Sequence, residues 1–329
     1  MESNISIQSQ CSANLVGVSS FVFIILNGIS GFASIIGNSL VVLVIFKTKV
    51  LRTTSNFFIS SLALADLIVG LIINPLYIVI ISHNVWLEQH PLMKMENFLW
   101  IHSLTATTFS LCLVSVERYV AISRPFRYPK NMNKKRCFFV VLTMWFFSLC
   151  MGSLSLGVQE KDLALLWVVC SSLVVFPPLT VIAVCYYKIF KIARRHEKRI
   201  EKDTIQETAF RVKNQKATWT IVIIVGLFVI LFTPSLVFSY ITLAQRDKCQ
   251  EMKVYRQWIW AIFVNFSGSA INPWIYAIRN KDFKRVLTRI YGFRINHEPL
   301  TLIRINWKVI FHLRSGSYAV NISKSTLSE

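Results

Sequence analysis

Long runs of apolar residues alternate with short polar and basic segments along most of this chain. Seven of these runs are nearly free of charge, and each is long enough to cross the hydrocarbon core of a bilayer as a helix. The runs cover residues 19–46, 55–82, 95–120, 137–158, 163–190, 217–243 and 257–278. The pattern predicts an all-α membrane protein, folded as a seven-transmembrane helix bundle over residues 19–278.

Three shorter segments flank the predicted bundle. Residues 1–18 are mostly polar and predict an extracellular N-terminus. In residues 279–291, apolar positions recur at helical spacing between Lys and Arg, which is typical of an amphipathic helix on the cytoplasmic membrane surface. Residues 292–329 become polar again and end in several Ser and Thr, so they predict a cytoplasmic tail with sites for phosphorylation.

The composition also indicates a membrane protein rather than a soluble domain. Of the 329 residues, 54% are hydrophobic and 16% are charged, and the mean hydropathy is +0.51. A soluble domain carries about 25% charged residues. No gap between the apolar runs is long enough to hold a second, soluble domain.

The basic residues predict the orientation of the chain. The formal net charge is +20, and thirty of the 36 Lys and Arg residues lie at or beyond the ends of the first, third, fifth and seventh runs. The positive-inside rule makes these four segments cytoplasmic and places the N-terminus outside, as in a multi-pass protein of the plasma membrane. Because the charge is divided among segments beside the membrane, it suits anionic membrane lipid and argues against a nucleic-acid partner.

Two of the seven cysteines, Cys11 and Cys249, fall clearly on the predicted outer side. That side is oxidising, so a disulfide bridge between them is plausible, and two free thiols are the alternative. Asn4 begins the sequence N-I-S, which is an acceptor pattern for N-glycosylation on the same side.

The third run ends in the triplet Glu117-Arg118-Tyr119, and Pro125 follows soon after. An arginine at the end of an apolar helix is costly unless it is paired or reaches the interface, and Glu117 is the adjacent partner. One interpretation is a helix end with a solvated ion pair. The other is a switch, in which the pair is closed in one state and Arg118 is free for a partner in the other.

An isolated carboxylate, Asp66, lies in the second run within L-A-L-A-D. A carboxylate inside a membrane span is a functional-site hypothesis by default. It is protonated, hydrogen-bonded, or charged beside a bound cation. Asn74-Pro75 later in the same run predicts a kink.

Motifs in all seven predicted spans resemble those of the rhodopsin-like (class A) G-protein-coupled receptors. They are Asn38, L-A-L-A-D at Asp66, E-R-Y at 117–119, Trp145, Pro178 with Tyr186, Phe228 with Pro234, and N-P-x-x-Y from Asn272 to Tyr276. The resemblance covers roughly residues 20–291. It implies a receptor that binds an extracellular ligand and activates heterotrimeric G proteins, and that is not an enzyme. Arrestin and a receptor kinase are the further partners it implies.

The resemblance assigns a coupling switch to the inner half of the bundle. Glu117 would restrain Arg118 in the resting state, and Pro234 would be the hinge about which the sixth span swings outward. The switch residues implied are Glu117, Arg118, Tyr119, Tyr186, Pro234, Asn272, Pro273 and Tyr276.

The resemblance also implies an allosteric sodium site in the middle of the bundle. Its residues would be Asp66, Ser103, Thr107, Ser269 and Asn272. Their hard oxygen atoms suit Na⁺. No other cofactor is implied.

Several positions depart from the family pattern. Met93 stands where the family usually has a cysteine bridged to the second outer loop, and Phe232 replaces the usual tryptophan above the hinge. Trp100 occupies the place of the aspartate that pairs with the ligand in amine receptors, so an amine held in that classical way is disfavoured. Phe266 stands where visual pigments have the retinal lysine, and Asn214 where an acidic partner of the motif arginine often stands.

The missing bridge, the short second outer loop and the outer cysteines resemble the melanocortin branch and its adenosine- and lipid-receptor relatives. Pro178 and Asn272 depart from the melanocortin pattern, because that branch usually lacks this proline and has aspartate in place of the asparagine.

Helical positions predict a ligand pocket for a small molecule that opens outward between the third, fifth, sixth and seventh spans. Its candidate residues are mostly apolar and aromatic, as in most small-molecule sites. They are Glu96, Trp100, Leu104, Cys170, Phe232, Ser235, Ser239, Trp258 and Ile262. The alternative for each is ordinary helix packing, and Glu96 either pairs with a cationic ligand or is solvated.

Three other functions fit the sequence less well than a receptor. A seven-span binding or decoy protein that does not signal is the main alternative, and the intact E-R-Y and N-P-x-x-Y motifs argue against it. A transporter would need paired charges along a path, whereas Asp66 is nearly alone. An enzyme is disfavoured because the six His show no metal-ligand spacing and no phosphate-binding loop is present.

Overall fold

The computed structural model describes residues 15, 17–85, 90–128, 132–159, 162–197, 205–245 and 247–279. The predictions for Asn4, Cys11, the amphipathic segment beyond residue 279 and the tail fall outside the described residues. Within them the secondary structure is helical, without strands.

Seven long helices occupy the described part of the chain, and each contains one of the predicted apolar runs, except that the fourth helix ends one residue short of its run. They are α1 (Val18–Lys47), α2 (Thr54–Ser82), α3 (Pro91–Ser123), α4 (Lys134–Gly157), α5 (Leu163–Glu197), α6 (Ile205–Ala244) and α7 (Lys248–Arg279). The predicted all-α, seven-helix bundle is therefore confirmed. The helices extend beyond the apolar runs because their polar ends reach past the membrane core.

A π-helical turn, Val69–Ile73, interrupts α2 just before the predicted kink at Asn74-Pro75. Proline has no N–H, so its helix cannot keep a regular hydrogen-bond pattern around it. Here the Asn74 N–H donates to the carbonyl of Val69, five residues earlier. The extra residue turns the outer part of α2 by about 100° relative to its inner part, because a helix has 3.6 residues per turn.

α3 lies at the centre of the bundle, where it contacts α2, α4, α5 and α6, and α7 closes the ring against α6 and α1. Glycine allows the closest approach of α1 to α7: a Cβ atom on Gly37 would lie 2.7 Å from Cγ of Pro273. This contact fixes the start of N-P-x-x-Y against α1.

The interior contains two apolar clusters, one above the other. The cluster towards the helix ends predicted to be extracellular, the outer ends, includes Trp100, Trp258 and Tyr77, and the one towards the opposite, inner ends includes Tyr186 and Tyr276. Large apolar side chains also cover the outside of the bundle, especially on α4. In water such a surface would be a liability, but in a bilayer it faces lipid.

Six helices, α1 to α6, are long and apolar enough to cross a membrane. α7 is more polar, but it buries its polar residues Ser269 and Asn272 inside the bundle. The neighbouring helices therefore surround those side chains in place of lipid.

Candidate functional site

Asp66 lies at the centre of a buried hydrogen-bond network that joins α2 to α7. It is 1% exposed. The Ser269 hydroxyl donates to its Oδ1 over 2.8 Å, and the Asn272 side-chain amide donates to its Oδ2 over 2.9 Å. Both carboxylate oxygens thus have a partner from α7, which offsets part of the cost of burying them.

α1 extends this network through Asn38. Its amide donates to the carbonyl oxygens of Ser34 over 3.0 Å and of Ser269 over 2.9 Å. The hydroxyl of Ser34 donates to the backbone carbonyl of Asp66 over 2.9 Å. Three helices are therefore joined by polar contacts around one carboxylate.

A small cavity opens beside Asp66, and all five residues of the predicted sodium site line it. They are Asp66, Ser103, Thr107, Ser269 and Asn272. The space open to the centres of water molecules is about 40 Å³. One water needs about 10–15 Å³ by this measure, so the cavity can hold a small hydrated cation. A carboxylate and several hydroxyl oxygens are the donor set that suits Na⁺, so the side chains present fit the predicted ion.

At the inner end of α3, Glu117 and Arg118 form an ion pair. Nε of Arg118 lies 2.6 Å from Oε2 of Glu117, and Nη2 donates to Oε1 over 3.1 Å. The Glu117 side chain is fully buried, and the Arg118 side chain is 12% exposed. The alternative of a solvated pair is therefore wrong for Glu117. Partial burial strengthens the pair compared with one in water.

Tyr128 is a third member of this cluster, and its hydroxyl donates a hydrogen bond to Oε1 of Glu117. Burial first, and then the charge of Glu117, raise the pKa of the Tyr128 phenol above its ordinary value. The phenol consequently stays protonated at neutral pH and remains a donor.

The hydroxyl of Thr54 donates to the carbonyl of Met132, which joins α2 to the segment just before α4.

The other predicted switch residues lie in the inner apolar cluster. Tyr186 and Tyr276 are both buried. The hydroxyl of Tyr186 lies 3.4 Å from Oγ of Ser115 on α3, whereas the buried hydroxyl of Tyr276 has no hydrogen-bond partner among the described residues. Pro234 lies inside α6, two residues after Phe232, whose ring is parallel to that of Phe228. The ammonium group of Lys188 on α5 lies over the ring of Tyr119. The side chain of Asn214 is not among those described.

The outer apolar cluster gathers the predicted pocket residues. Trp100, Leu104, Cys170, Phe232, Trp258 and Ile262 all belong to it. Ser235 and Ser239 are buried on α6, and Ser239 accepts a hydrogen bond of 3.1 Å from the indole of Trp258. The structure thus brings these residues together at the outer side of the bundle.

Glu96 lies deeper than a residue at the mouth of a pocket. It is only 2% exposed, and the Tyr77 hydroxyl donates to its Oε1 over 2.5 Å. The alternative that Glu96 is simply solvated is therefore wrong. α3 begins at Pro91, so Glu96 lies in an early turn of this helix, on the same face as the buried Met93.

The sequence interpretation missed several residues that complete these sites. They are Ser34, Tyr77, Tyr128, Trp167 and Tyr255. Apart from the contact of Tyr255 with Trp258, three positions along, their partners lie between 11 and 91 positions away, so no local motif indicates them. A weak sequence signal for Tyr77 was the kink predicted at Asn74-Pro75, just before it, because a kink changes the direction of the helix beyond it.

Seven packed helices, with an apolar exterior and polar sites buried between them, are the architecture of a multi-pass membrane protein. The chain belongs to the rhodopsin family of seven-transmembrane receptors, because its residues 37–276 match the model of that family. The resemblance stated from the motifs is thereby confirmed at the level of the family.

Two relatives show how far this similarity extends. The rat histamine H2 receptor is 29% identical over 83% of this chain and 80% of its own length. The human trace amine-associated receptor 9 is 28% identical over 82% of this chain and 85% of its own length. Both are amine receptors by name. They do not address the link to the melanocortin branch, which stays a prediction.

Proposed function

We propose that this protein is a plasma-membrane receptor that binds a small extracellular ligand and activates heterotrimeric G proteins. The proposal includes the orientation with the N-terminus outside and the C-terminus in the cytoplasm. The distribution of Lys and Arg along the chain supports that orientation.

The observation that carries the proposal is the buried Glu117–Arg118 pair with Tyr128 beside it. Glu117 holds Arg118 in an ion pair, and breaking that pair would free Arg118 for a partner. Arg118 lies where the bundle meets the basic cytoplasmic segment. A conformational change that moves α6 away from α3 would open a cleft beside Arg118. An activating ligand must then bind the open state better than the closed one, because only differential binding shifts a population.

The predicted sodium site would act on the same equilibrium between the closed and the open state. Asp66, Ser269 and Asn272 join α2 to α7, and the cavity beside them borders Phe228 and Leu231 of α6. An ion bound there would stabilise the arrangement of helices that forms the cavity. Sodium would therefore oppose a ligand that favours the open state.

The test is nucleotide exchange on a panel of heterotrimeric G proteins in membranes that carry the full chain. Wild type is compared with Arg118→Ala and with Arg136→Ala, an exposed arginine at the start of α4 that serves as the matched control. We expect exchange that Arg118→Ala abolishes and Arg136→Ala retains, at equal surface expression. Exchange that survives Arg118→Ala would refute the proposed role of this arginine.

The same experiment separates the receptor from a non-signalling binding or decoy protein. The assay is run without ligand and then with pooled amines, nucleosides, lipids and peptides. Absence of exchange with every pool, while the protein is at the surface, would favour the non-signalling alternative. Recruitment of arrestin and phosphorylation of the tail by a receptor kinase are further parts of the proposal, tested by arrestin binding after activation.

A further inference from the structure

Glu96 and Trp100 present two unsatisfied polar atoms on one face of α3. Oε2 of Glu96 and Nε1 of Trp100 are both buried and have no hydrogen-bond partner in the described part of the chain. The two residues are four positions apart, so they lie one above the other, about 6 Å apart along the helix. One atom is an acceptor and the other is a donor.

Glu96 is left without a hydrogen-bond partner for Oε2 in either of its protonation states. As a carboxylate, Glu96 has Tyr77 on Oε1 but nothing on Oε2, and the described residues offer no ion-pair partner for it. As a neutral acid, it would carry a hydroxyl at an oxygen that still lacks a partner. Burying such a group without a partner is costly, so the site is built to receive one.

The rings around these atoms suit a cation. Trp100, Trp167, Trp258 and Tyr255 form one cluster, with ring centroids between 5.0 and 6.5 Å apart. Tyr255 lies close enough to Glu96 to interact with its charge. Glu96 is one helical turn from Trp100, whose ring belongs to this cluster, and a carboxylate near aromatic rings suits an organic ammonium group.

The side chains around Glu96 do not suit a divalent metal ion. The described residues contain no group of three or more His, Cys, Asp or Glu side chains that could hold a metal ion. Calcium and magnesium need about six oxygen ligands, whereas Glu96 offers a single free oxygen. A free carboxylate oxygen accepts from an N–H or O–H donor, and a protonated primary or secondary amine brings an N–H and a positive charge, whereas a quaternary ammonium group has no N–H.

We infer that Glu96 is the counter-ion for a protonated primary or secondary amine ligand, and that Trp100 Nε1 donates to an acceptor on that ligand. This inference rests on the proposed receptor function and names the ligand class of its pocket. The charge that holds the amine lies one helical turn outward from residue 100, where an indole replaces a carboxylate.

The test is a binding measurement on the purified full chain, by ligand-dependent thermal unfolding. The probes are phenylethylamine, tyramine, which adds a hydroxyl acceptor, and the uncharged 2-phenylethanol. We expect both amines to raise the unfolding midpoint of the wild type and the alcohol to leave it unchanged. In Glu96→Gln the affinity for both amines should fall by at least ~30-fold, as expected when one partner of a buried charge pair is removed.

Two further variants keep the test decisive. Glu251→Gln makes the same chemical change at a partly exposed position at the start of α7 and should bind the amines like the wild type. Trp100→Phe keeps an aromatic ring but removes the indole donor, so it should weaken tyramine more than phenylethylamine. Because Trp100→Phe retains Glu96, it remains informative if Glu96→Gln does not fold.

The outcomes that overturn the inference are equally specific. They are an equal midpoint shift in wild type and Glu96→Gln, an equal shift by amine and alcohol, or no shift by either amine in wild-type protein that unfolds cooperatively. No G protein is present in this assay. Amine binding without nucleotide exchange would therefore support the inference while contradicting the proposed activation of G proteins, and exchange without amine binding would do the reverse.

Discussion

The side-chain amide of Asn272 donates a hydrogen bond of 2.9 Å to Oδ2 of Asp66, across 206 positions of sequence. This bond joins the N-P-x-x-Y motif of α7 to the isolated carboxylate of α2. Each residue alone would be a costly polar group inside a membrane span. Together, and with Ser269, they form one wall of a cavity that fits a small cation.

The sodium site predicts an effect of ion identity on stability. Replacing choline by Na⁺ at constant ionic strength should raise the unfolding midpoint of the wild type, because a ligand that binds only the folded state stabilises it. Asp66→Asn removes the charge and should abolish the effect. Asp247→Asn, an exposed position before α7, is the control and should keep it. An unchanged response to Na⁺ in Asp66→Asn would exclude this site.

The Glu117–Arg118 pair predicts the behaviour of a neutral variant. Glu117→Gln leaves Arg118 without its counter-charge, so the closed state loses a restraint that the open state does not use. A loss of ~1–2 kcal/mol shifts a two-state ratio by about 5–30-fold. Nucleotide exchange without ligand should therefore rise in Glu117→Gln and not in Glu251→Gln. Basal exchange equal to that of the wild type would contradict the restraint.

The contact between α1 and α7 predicts opposite effects for two glycine substitutions. In Gly37→Ala the new methyl group meets the ring of Pro273 at 2.7 Å, and such overpacking costs about 1–3 kcal/mol. In Gly226→Ala nothing lies within 4 Å of the added atom, and alanine favours a helix over glycine by about 1 kcal/mol. Unfolding midpoints of the two purified variants should move in opposite directions. Equal destabilisation of both would show that the Pro273 contact is not the cause.

The outer cysteines predict a labelling pattern on intact cells. We propose that Cys11 and Cys249 are bridged. Cys249 is disulfide-bonded, and the other five described cysteines are free, so Cys11 is the remaining partner in a chain of seven. Cys249→Ser should leave Cys11 open to a membrane-impermeant maleimide, whereas the wild type should not react. Equal labelling of both proteins would exclude the bridge.

Much of this architecture was predictable because membrane spans carry strong local signals. The apolar runs predicted all seven helices, since a helix in lipid must be apolar over about twenty residues. The motifs around Asp66, Arg118 and Asn272 indicated the two polar sites, because unpaired polar groups are rare inside a bilayer. The residue types at these positions therefore indicated a buried carboxylate site and a charge-pair switch, and the family resemblance implied that the carboxylate site binds sodium.

Partners that depend on the packing of distant helices could not be predicted in this way. Tyr128 reaches Glu117 because the chain turns back after Ser123, and Tyr77 reaches Glu96 because a π-helical turn changes the face of α2. Neither event leaves a periodic pattern in the sequence. The burial of Glu96 likewise depends on which face of α3 packs into the bundle.

The sequence by itself determined the number of helices, their membrane character and the residue types of the buried sites, because hydrophobicity and charge act locally along the chain. Only the tertiary structure decided which polar atoms are satisfied and which are left open. Hydrogen bonds and ring contacts depend on the mutual rotation and depth of helices far apart in sequence. Asp66 thus has both oxygens bonded from α7, whereas Glu96 and Trp100 each keep one unsatisfied atom in the outer cluster.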